Sequence, residues 1–239
     1  GYNDQLEDEV KQRTAKLTKA NREMDQLVYS LSHDFRTPLV NVQGLIDLAS
    51  STDDPNMLKV FIEKMGTSVN RFDEILRDMM NYAVYWDEEI KPQEVSIKNL
   101  ILNKWKHFEY IHQNEMTLEI NPTEEETWLL NSCHEKLRVI IYSLLSNAIR
   151  YNTSKGKVAV KAERTQNQLI LQMIDTGEGI EEEHLPRVFD MFYRGNAKSQ
   201  GAGMGLYIAK GIITQLGGFI DLQSKKGEGT TVTVGLPLN

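Results

Sequence analysis

The start of the chain repeats an apolar residue at alternating steps of four and three positions. This repeat runs from Leu6 to Leu31, and within it only Arg13 is not apolar. Such a period of 3.5 residues is typical of a helix that packs one apolar stripe against another helix. A second stripe with the same spacing runs from Leu58 to Ala83, after the turn sequence SSTDDPN. We therefore predict a hairpin of two long antiparallel helices.

One such hairpin cannot bury both stripes alone, whereas two copies make a four-helix bundle. We therefore expect a homodimer. The first stripe continues to Ala49, but around His33 three consecutive steps span four residues each, a stutter that locally unwinds a supercoil. Pro38 lies in the same place and cannot donate to the carbonyl of Asp34, so it should kink the helix.

After Trp86 the pattern changes to alternating helices and strands. A polar segment containing Pro92 predicts a linker, and Ser132 with Glu135 reads as a capping box that opens a helix. Predicted helices cover 97–113, 132–150 and 205–216, and predicted strands cover 116–120, 127–130, 157–163, 168–175, 218–224 and 229–238. The expected fold class is α+β, with a helical hairpin forming a dimeric four-helix bundle followed by an α/β sandwich. The domains are a coiled-coil linker helix (1–24), the hairpin (25–88), a linker (89–95) and the sandwich (96–239).

Charge and composition exclude several classes of protein. The net charge of −7 argues against a nucleic-acid binder with a broad basic face, although a local basic patch for a polyphosphate is compatible with it. The single cysteine, Cys133, rules out an internal disulfide and fits a reducing compartment. The longest apolar run, 139–145, is far too short to span a bilayer. We expect this part of the chain to be cytoplasmic, and leave open whether the full-length protein is membrane-anchored.

Five polar and glycine-rich segments follow one another in the second half of the chain. They are SLLSNAIRY at 143–151, DTGEG at 175–179, FDMFYR at 189–194, GAGMGL at 201–206 and GEGTT at 227–231. Each segment alone is a weak signal, since glycine-rich stretches are usually turns. Their combination in this order is much more specific.

The side chains in these segments suit a nucleotide. Asp175, at a strand end, can accept a hydrogen bond from an exocyclic amine such as that of adenine, and the glycines after it let the backbone approach a planar base. GAGMGL precedes a helix N-terminus, where free N–H groups favour phosphate. Asn147 offers a neutral oxygen suited to Mg²⁺. Arg150 and Arg194 can offset phosphate charge.

Together these segments resemble the N, G1, F, G2 and G3 boxes of the catalytic domain of two-component sensor histidine kinases. The ATP-binding fold of that domain is shared with gyrase and mismatch-repair ATPases. The segment LSHDFRTPL at 31–39 resembles the H box, which receives the phosphoryl group. The resemblance covers roughly residues 25–239, and the helix before it is similar to the linker that joins such kinases to an upstream sensor domain, which this chain lacks.

The resemblance implies ATP and Mg²⁺ as cofactors. It makes Asn147 the magnesium ligand and Asp175 the carboxylate that recognises adenine. The N box often has a second asparagine where this chain has Ser143, so the role of Ser143 stays open. The nucleotide-binding residues that it implies are Asn147, Arg150, Tyr151, Asp175, Gly177, Gly179, Phe189, Phe192, Arg194, Lys198, Gly201, Gly203, Gly205, Leu206, Thr230 and Thr231.

His33 is the candidate phosphoacceptor. It lies two residues from both Leu31 and Phe35 on the apolar stripe, so the helical turn should point it outward. A neutral imidazole there is a competent nucleophile toward the γ-phosphate, and the neighbouring Asp34 can orient the ring. The resemblance gives Asp34 a general-base role. It also implies that Thr37 orients a water which hydrolyses the phospho-aspartate of a response regulator.

We therefore interpret the chain as an ATP-dependent protein-histidine kinase. It would autophosphorylate His33 and pass the phosphoryl group to an aspartate of a response-regulator receiver domain, with a possible phosphatase activity. One alternative is an ATPase of the gyrase class without phosphotransfer, but its catalytic glutamate would align with Ser143. The other is a non-catalytic phosphotransfer scaffold, which would not need the nucleotide boxes. The sequence leaves open the input signal, the identity of the regulator, and phosphorylation within or across subunits.

Overall fold

The structure is a computed structural model, which describes residues 2–86, 91–112, 115–195 and 203–238. The chain forms two compact units, residues 1–77 and 78–239. The predicted fold class, a helical N-terminal region followed by an α/β domain, is confirmed. None of the described helices carries an apolar stretch that could span a bilayer.

Two long helices make up the N-terminal hairpin. Helix α1 runs over Tyr2–Ala49 and helix α2 over Pro55–Trp86. Asp54 Oδ1 accepts a hydrogen bond from the backbone N–H of Asn56 at 2.9 Å, so Asp54 caps the N-terminus of α2. Helix α1 is continuous through Pro38, and Pro38 itself is buried. The kink at Pro38 stays a prediction.

Only part of the predicted apolar stripe turns toward the inside of the hairpin. The rings of Phe35 and Phe72 lie 5.0 Å apart between centroids, and Leu31 is buried. On α2 the buried residue is Ile75, whereas Leu76 of the predicted stripe is 40% exposed. By contrast, Leu39 is 58% exposed and Ile62 is 65% exposed. A heptad pattern identifies which residues form a stripe but does not say which chain covers them.

The second unit is a two-layer α/β sandwich. Its main sheet has the strand order β2-β4-β5-β7-β6, in which β2 is parallel to β4 and the other neighbours are antiparallel. The strands are β2 Thr117–Asn121, β4 Lys157–Arg164, β5 Gln168–Asp175, β6 Phe219–Lys225 and β7 Gly229–Pro237. The helices are α3 Ile97–His112, α4 His134–Arg150 and α5 Gly205–Gln215, which contribute most of the buried apolar residues of this unit together with one face of the sheet.

Three sequence predictions are corrected at the start of this unit. The predicted linker 89–95 overlaps strand β1, Pro92–Ser96, which pairs antiparallel with β3, Leu129–Cys133. Pro92 is tolerated because it is the first residue of the strand. The predicted strand 127–130 is divided between a 3-10 helix at Glu125–Trp128 and β3. The capping box is wrong, because Ser132 pairs in β3 and Cys133 precedes α4 without a side-chain cap.

Hydrogen bonds of Gln215, the last residue of helix α5, link this helix to α4 and to Tyr85. The Lys136 ammonium, on α4, is almost completely buried and donates to Gln215 Oε1 at 2.7 Å. Gln215 Nε2 in turn donates to the backbone carbonyl of Tyr85 at 2.9 Å. The ring of Tyr85 meets that of Tyr207 edge-on at 5.9 Å. These contacts join α5 to α4 and to Tyr85 within the second unit.

Candidate nucleotide and phosphoacceptor sites

Asp175 stands at the end of strand β5 with one side of its carboxylate already occupied. Its Oδ1 accepts hydrogen bonds from the backbone N–H of Gly177 at 2.9 Å and of Thr230 at 3.3 Å. Within the described residues these are its side-chain hydrogen bonds, so Oδ2 is available to a ligand. Burial raises the pKa of the Asp175 carboxyl, and the two backbone hydrogen bonds oppose that rise.

The glycines after Asp175 allow three segments to meet. The N–H of Glu178 donates to the Tyr151 carbonyl at 2.9 Å, which joins this loop to the end of α4. Gly179 has φ +63°, and a Cβ atom there would collide with the carbonyl of Lys225. The N–H of Gly227 donates back to the Glu178 carbonyl at 2.8 Å. The DTGEG segment is therefore packed between the SLLSNAIRY and GEGTT segments.

The FDMFYR segment lies beside the start of α5. Gly203 lies against the backbone of Phe192, where a Cβ atom would come 2.8 Å from the Phe192 carbonyl carbon. The Lys210 ammonium, on α5, sits 4.9 Å from the centroid of the Phe189 ring. At Gly205 a Cβ atom would be 3.8 Å from Cβ of Ser143, so α4 and the N-terminus of α5 are neighbours at this point.

The other predicted nucleotide-binding residues occupy the same end of the unit. Asn147 is half-buried on α4, and its side-chain amide makes no hydrogen bond with any described residue, so its oxygen is available to a metal ion. Arg150 lies in the last turn of α4 and, like Arg194, is half-buried. Leu206, Thr230 and Thr231 are also half-buried. Lys198 and Gly201 lie outside the described residues.

Ser224, at the end of β6, is a residue that the sequence analysis missed. Its hydroxyl lies 2.8 Å from the N–H of Ile180, 2.9 Å from the Gly229 carbonyl and 2.8 Å from the Thr230 hydroxyl. In sequence it shares the inward-facing positions of β6 with Ile220 and Leu222. The sequence signal that could have identified Ser224 is a polar residue at the end of an otherwise apolar strand face.

The phosphoacceptor candidate is exposed and adjoins a carboxylate. The His33 side chain is 76% exposed, and its Nδ1 lies 3.4 Å from Oδ1 of Asp34, whose side chain is 13% exposed. The Thr37 hydroxyl, one turn later, lies 3.4 Å from the His33 carbonyl oxygen and is also exposed. Both side chains are therefore accessible to solvent on the same part of α1.

The raised pKa of Asp175 predicts how ATP affinity depends on pH. We expect Asp175 to accept a hydrogen bond from the base only in its ionised form, and burial raises the pKa of this carboxyl above its ordinary value. ATP affinity should therefore fall as the pH falls through this raised pKa, beginning at a higher pH than for an ordinary aspartate. Calorimetric titration with Mg·ATP from the ordinary pKa of an aspartate, about 4, up to about pH 8 measures this dependence.

The control for this dependence is Asp175→Asn, in which the carboxyl is absent and only the phosphate groups of ATP and other side chains titrate. Subtraction of its profile isolates the contribution of Asp175. Identical pH profiles for the two proteins would contradict the predicted linkage between this carboxyl and the nucleotide.

Two protein families match the chain. The His Kinase A (phospho-acceptor) domain family matches residues 23–83, which include the exposed His33. The histidine kinase-, DNA gyrase B-, and HSP90-like ATPase family matches residues 133–239, which include Asp175 and the glycine-rich segments around it. The latter match implies ATP binding by the second unit.

Known proteins resemble the chain over most of its length. The sensor protein SrrB of Staphylococcus aureus is 29% identical in an alignment of 220 positions, and the match covers 88% of this chain but only 37% of the relative. The chain thus spans little more than a third of the curated relatives it matches.

Solved structures share the fold. The Acinetobacter baumannii histidine kinase AdeS is 21% identical and covers 87% of this chain and 98% of its own, with a TM-score of 0.63. The histidine kinase ThkA, solved in complex with the response regulator TrrA, is 20% identical. The match covers 90% of this chain and 61% of the ThkA chain, with a TM-score of 0.68. The phosphoacceptor match, the ATPase match and the similarity to the sensor protein SrrB together show that the chain belongs to the two-component sensor histidine kinases, of which it contains the kinase core.

Proposed function

We propose that this chain is an ATP-dependent protein-histidine kinase that phosphorylates its own His33. One observation carries the proposal: an exposed imidazole beside a carboxylate occurs in the same chain as a site whose half-buried Asp175 keeps one oxygen for a base. A nucleotide-binding domain alone would not need the first feature, and a phosphotransfer scaffold would not need the second.

The geometry at His33 indicates which nitrogen reacts. With Nδ1–H directed toward Asp34, the lone pair of Nε2 faces solvent and can attack the γ-phosphorus of ATP in line. The N–P bond forms as the bond from the γ-phosphorus to the β,γ-bridging oxygen breaks, and the bond electrons leave with ADP. The resulting imidazolium is stabilised by Asp34, which can accept the Nδ1 proton.

ATP would be held by the residues around Asp175. Oδ2 of Asp175 accepts a hydrogen bond from the 6-amino group of adenine, while the N-terminus of α5 lies where the phosphates can meet free backbone N–H groups. Asn147 is the proposed protein ligand of Mg²⁺, because its amide oxygen has no partner within the described residues. The ion, when bound, would offset the charge of the phosphates.

The proposed acceptor from His33 is an aspartate in the receiver domain of a response regulator. The related kinase ThkA has been solved with such a protein, TrrA, which supports this class of partner. In that step the N–P bond breaks as an O–P bond to the aspartate forms. The exposed Thr37 hydroxyl beside His33 supports a second activity, orientation of a water that hydrolyses the phospho-aspartate.

We also propose that the hairpin dimerises and that the kinase core works in the cytoplasm. Leu39, Ile62 and Val69 belong to the predicted stripes yet are more than half exposed within one chain. Exposed apolar side chains at stripe positions of both helices are best covered by the same stripes of a second copy in a four-helix bundle. The cytoplasm supplies both ATP and a reducing environment suited to the free Cys133.

The fate of the labelled γ-phosphate of ATP distinguishes the proposed kinase from an ATPase and from a phosphotransfer scaffold. Incubation of the chain with γ-labelled ATP and Mg²⁺ should place label on the protein, and the linkage should be labile in acid and stable in alkali, as a phosphoramidate is. Release of labelled phosphate without labelled protein would instead indicate an ATPase. An absence of both reactions, with the nucleotide unbound, would indicate a phosphotransfer scaffold.

A further inference from the structure

Three side chains form a row across the sheet at the base end of the candidate site. In the strand register Asp175 of β5 is opposite Thr230 of β7, and Thr230 is opposite Ser224 of β6. Directly opposite residues in antiparallel strands have their Cβ atoms about 5 Å apart on the same face of the sheet. Across the sheet, only Thr230 therefore lies between Ser224 and the carboxylate that recognises the base.

The neighbours of Ser224 fix the direction of its hydrogen bonds. A serine hydroxyl donates one hydrogen bond and accepts two. The N–H of Ile180 can only donate to it, and the buried Gly229 carbonyl can only accept from it. The single proton of Ser224 thus goes to Gly229, and its remaining lone pair must accept the proton of the Thr230 hydroxyl. This is the arrangement that satisfies all three neighbours.

This direction of bonding leaves Thr230 without a proton for a ligand. Its Oγ1 presents lone pairs only, next to a carboxylate that also presents lone pairs. A 6-amino purine brings hydrogens to such a pair of acceptors. A 6-oxo purine brings a carbonyl oxygen, whose lone pairs are repelled.

We propose that Ser224 is a positioning residue for nucleotide selectivity, because it holds the Thr230 hydroxyl as an acceptor and so disfavours 6-oxo purines. This proposal rests on the assignment of Asp175 to the base. Without Ser224 the Thr230 hydroxyl would be free to rotate and donate to a 6-oxo group. The loss of Ser224 should therefore improve the relative binding of the wrong base, whereas a purely structural role would weaken both bases alike.

The test compares the dissociation constants of ATP and inosine triphosphate, which differ in the 6-substituent and the N1 proton. The full chain is measured as wild type, Ser224→Ala, Ser224→Thr and Ser132→Ala, the last a half-buried strand serine remote from the site. We expect Ser224→Ala to lower the preference for ATP by about tenfold, the equivalent of one hydrogen bond gained or lost. Ser224→Thr keeps the hydroxyl and should keep the preference, as should Ser132→Ala.

An equal weakening of both nucleotides in Ser224→Ala would overturn the proposal, since it would show a structural role only. If circular dichroism shows that this variant does not fold, Thr230→Val provides the same test by removing the acceptor, and an unchanged preference there overturns the proposal. A wild-type chain that binds both nucleotides equally would also overturn it while leaving the kinase function standing. A chain that binds no ATP would remove the proposed function itself.

Discussion

A His33→Gln variant is expected to take up no label from γ-labelled ATP, with autophosphorylation falling by about 10³-fold or more, as when other enzymes lose their nucleophile. Glutamine is close to histidine in size and polarity, but its amide nitrogen has no lone pair available for attack on phosphorus. Because His33 is an exposed residue of α1, its replacement should leave the helix intact. Quantification of the acid-labile label on the purified protein measures the effect.

The matched control is His107→Gln, an exposed histidine on α3 that lies in no motif. It should label like the wild type. The His33→Gln variant should also bind ATP with unchanged affinity, because the proposed nucleotide-binding residues all lie in the second unit. Label that persists in His33→Gln would assign the phosphoacceptor to another residue.

The helices of the second unit illustrate what the sequence predicts well. The predicted end of the helix at Arg150 is confirmed, and the observed start of α5 at Gly205 is the predicted one. In both cases a strong apolar period is bounded by glycine or a change to polar residues, so local signals agree with the packing. Strand β1 was missed because just one of its residues, Val95, is buried, and the others are a proline and three polar residues. Its existence depends on pairing with β3, which no local pattern encodes.

In the candidate site too, local features were predicted from the sequence and long-range contacts were not. The sequence predicted that Asp175 lies at a strand end, because the apolar run before it is typical of a strand and the glycines after it end the strand. The sequence did not predict that Oδ1 of Asp175 accepts hydrogen bonds while Oδ2 is available to a ligand. This arrangement depends on Thr230, which is 55 residues away along the chain. Likewise, the bonding of Ser224 arises from three separate segments that meet in space. Such contacts follow from sheet register and cannot be derived from spacing alone.

An Asp175→Asn variant is expected to bind ATP about 100-fold more weakly, since the hydrogen bond it loses is made by a charged group. The orientation of the new amide follows from the backbone. Two N–H groups, those of Gly177 and Thr230, require an acceptor where Oδ1 now lies, so the amide oxygen takes that position. Its NH₂ group then faces the 6-amino group of adenine, and two donors are opposed.

The same variant should accept 6-oxo purines better than the wild type does. An NH₂ group in place of Oδ2 can donate to the carbonyl oxygen of hypoxanthine, so the ratio of ATP to inosine triphosphate affinity should fall further than in any variant that only weakens the site. Calorimetric titration of both nucleotides against both proteins measures the ratio. Asp221→Asn, an exposed aspartate on β6, is the matched control and should change neither affinity.

Stability provides an independent check on this interpretation. Because folding raises the pKa of Asp175, its ionised form is less favourable in the folded chain than in the unfolded one. At neutral pH the charge therefore destabilises the fold, and this cost disappears as the pH falls below the ordinary pKa of an aspartate. A neutral asparagine that keeps both backbone hydrogen bonds should leave the melting temperature unchanged or raise it. A variant that loses ATP binding and also melts at a markedly lower temperature would show that Asp175 supports the fold rather than the base.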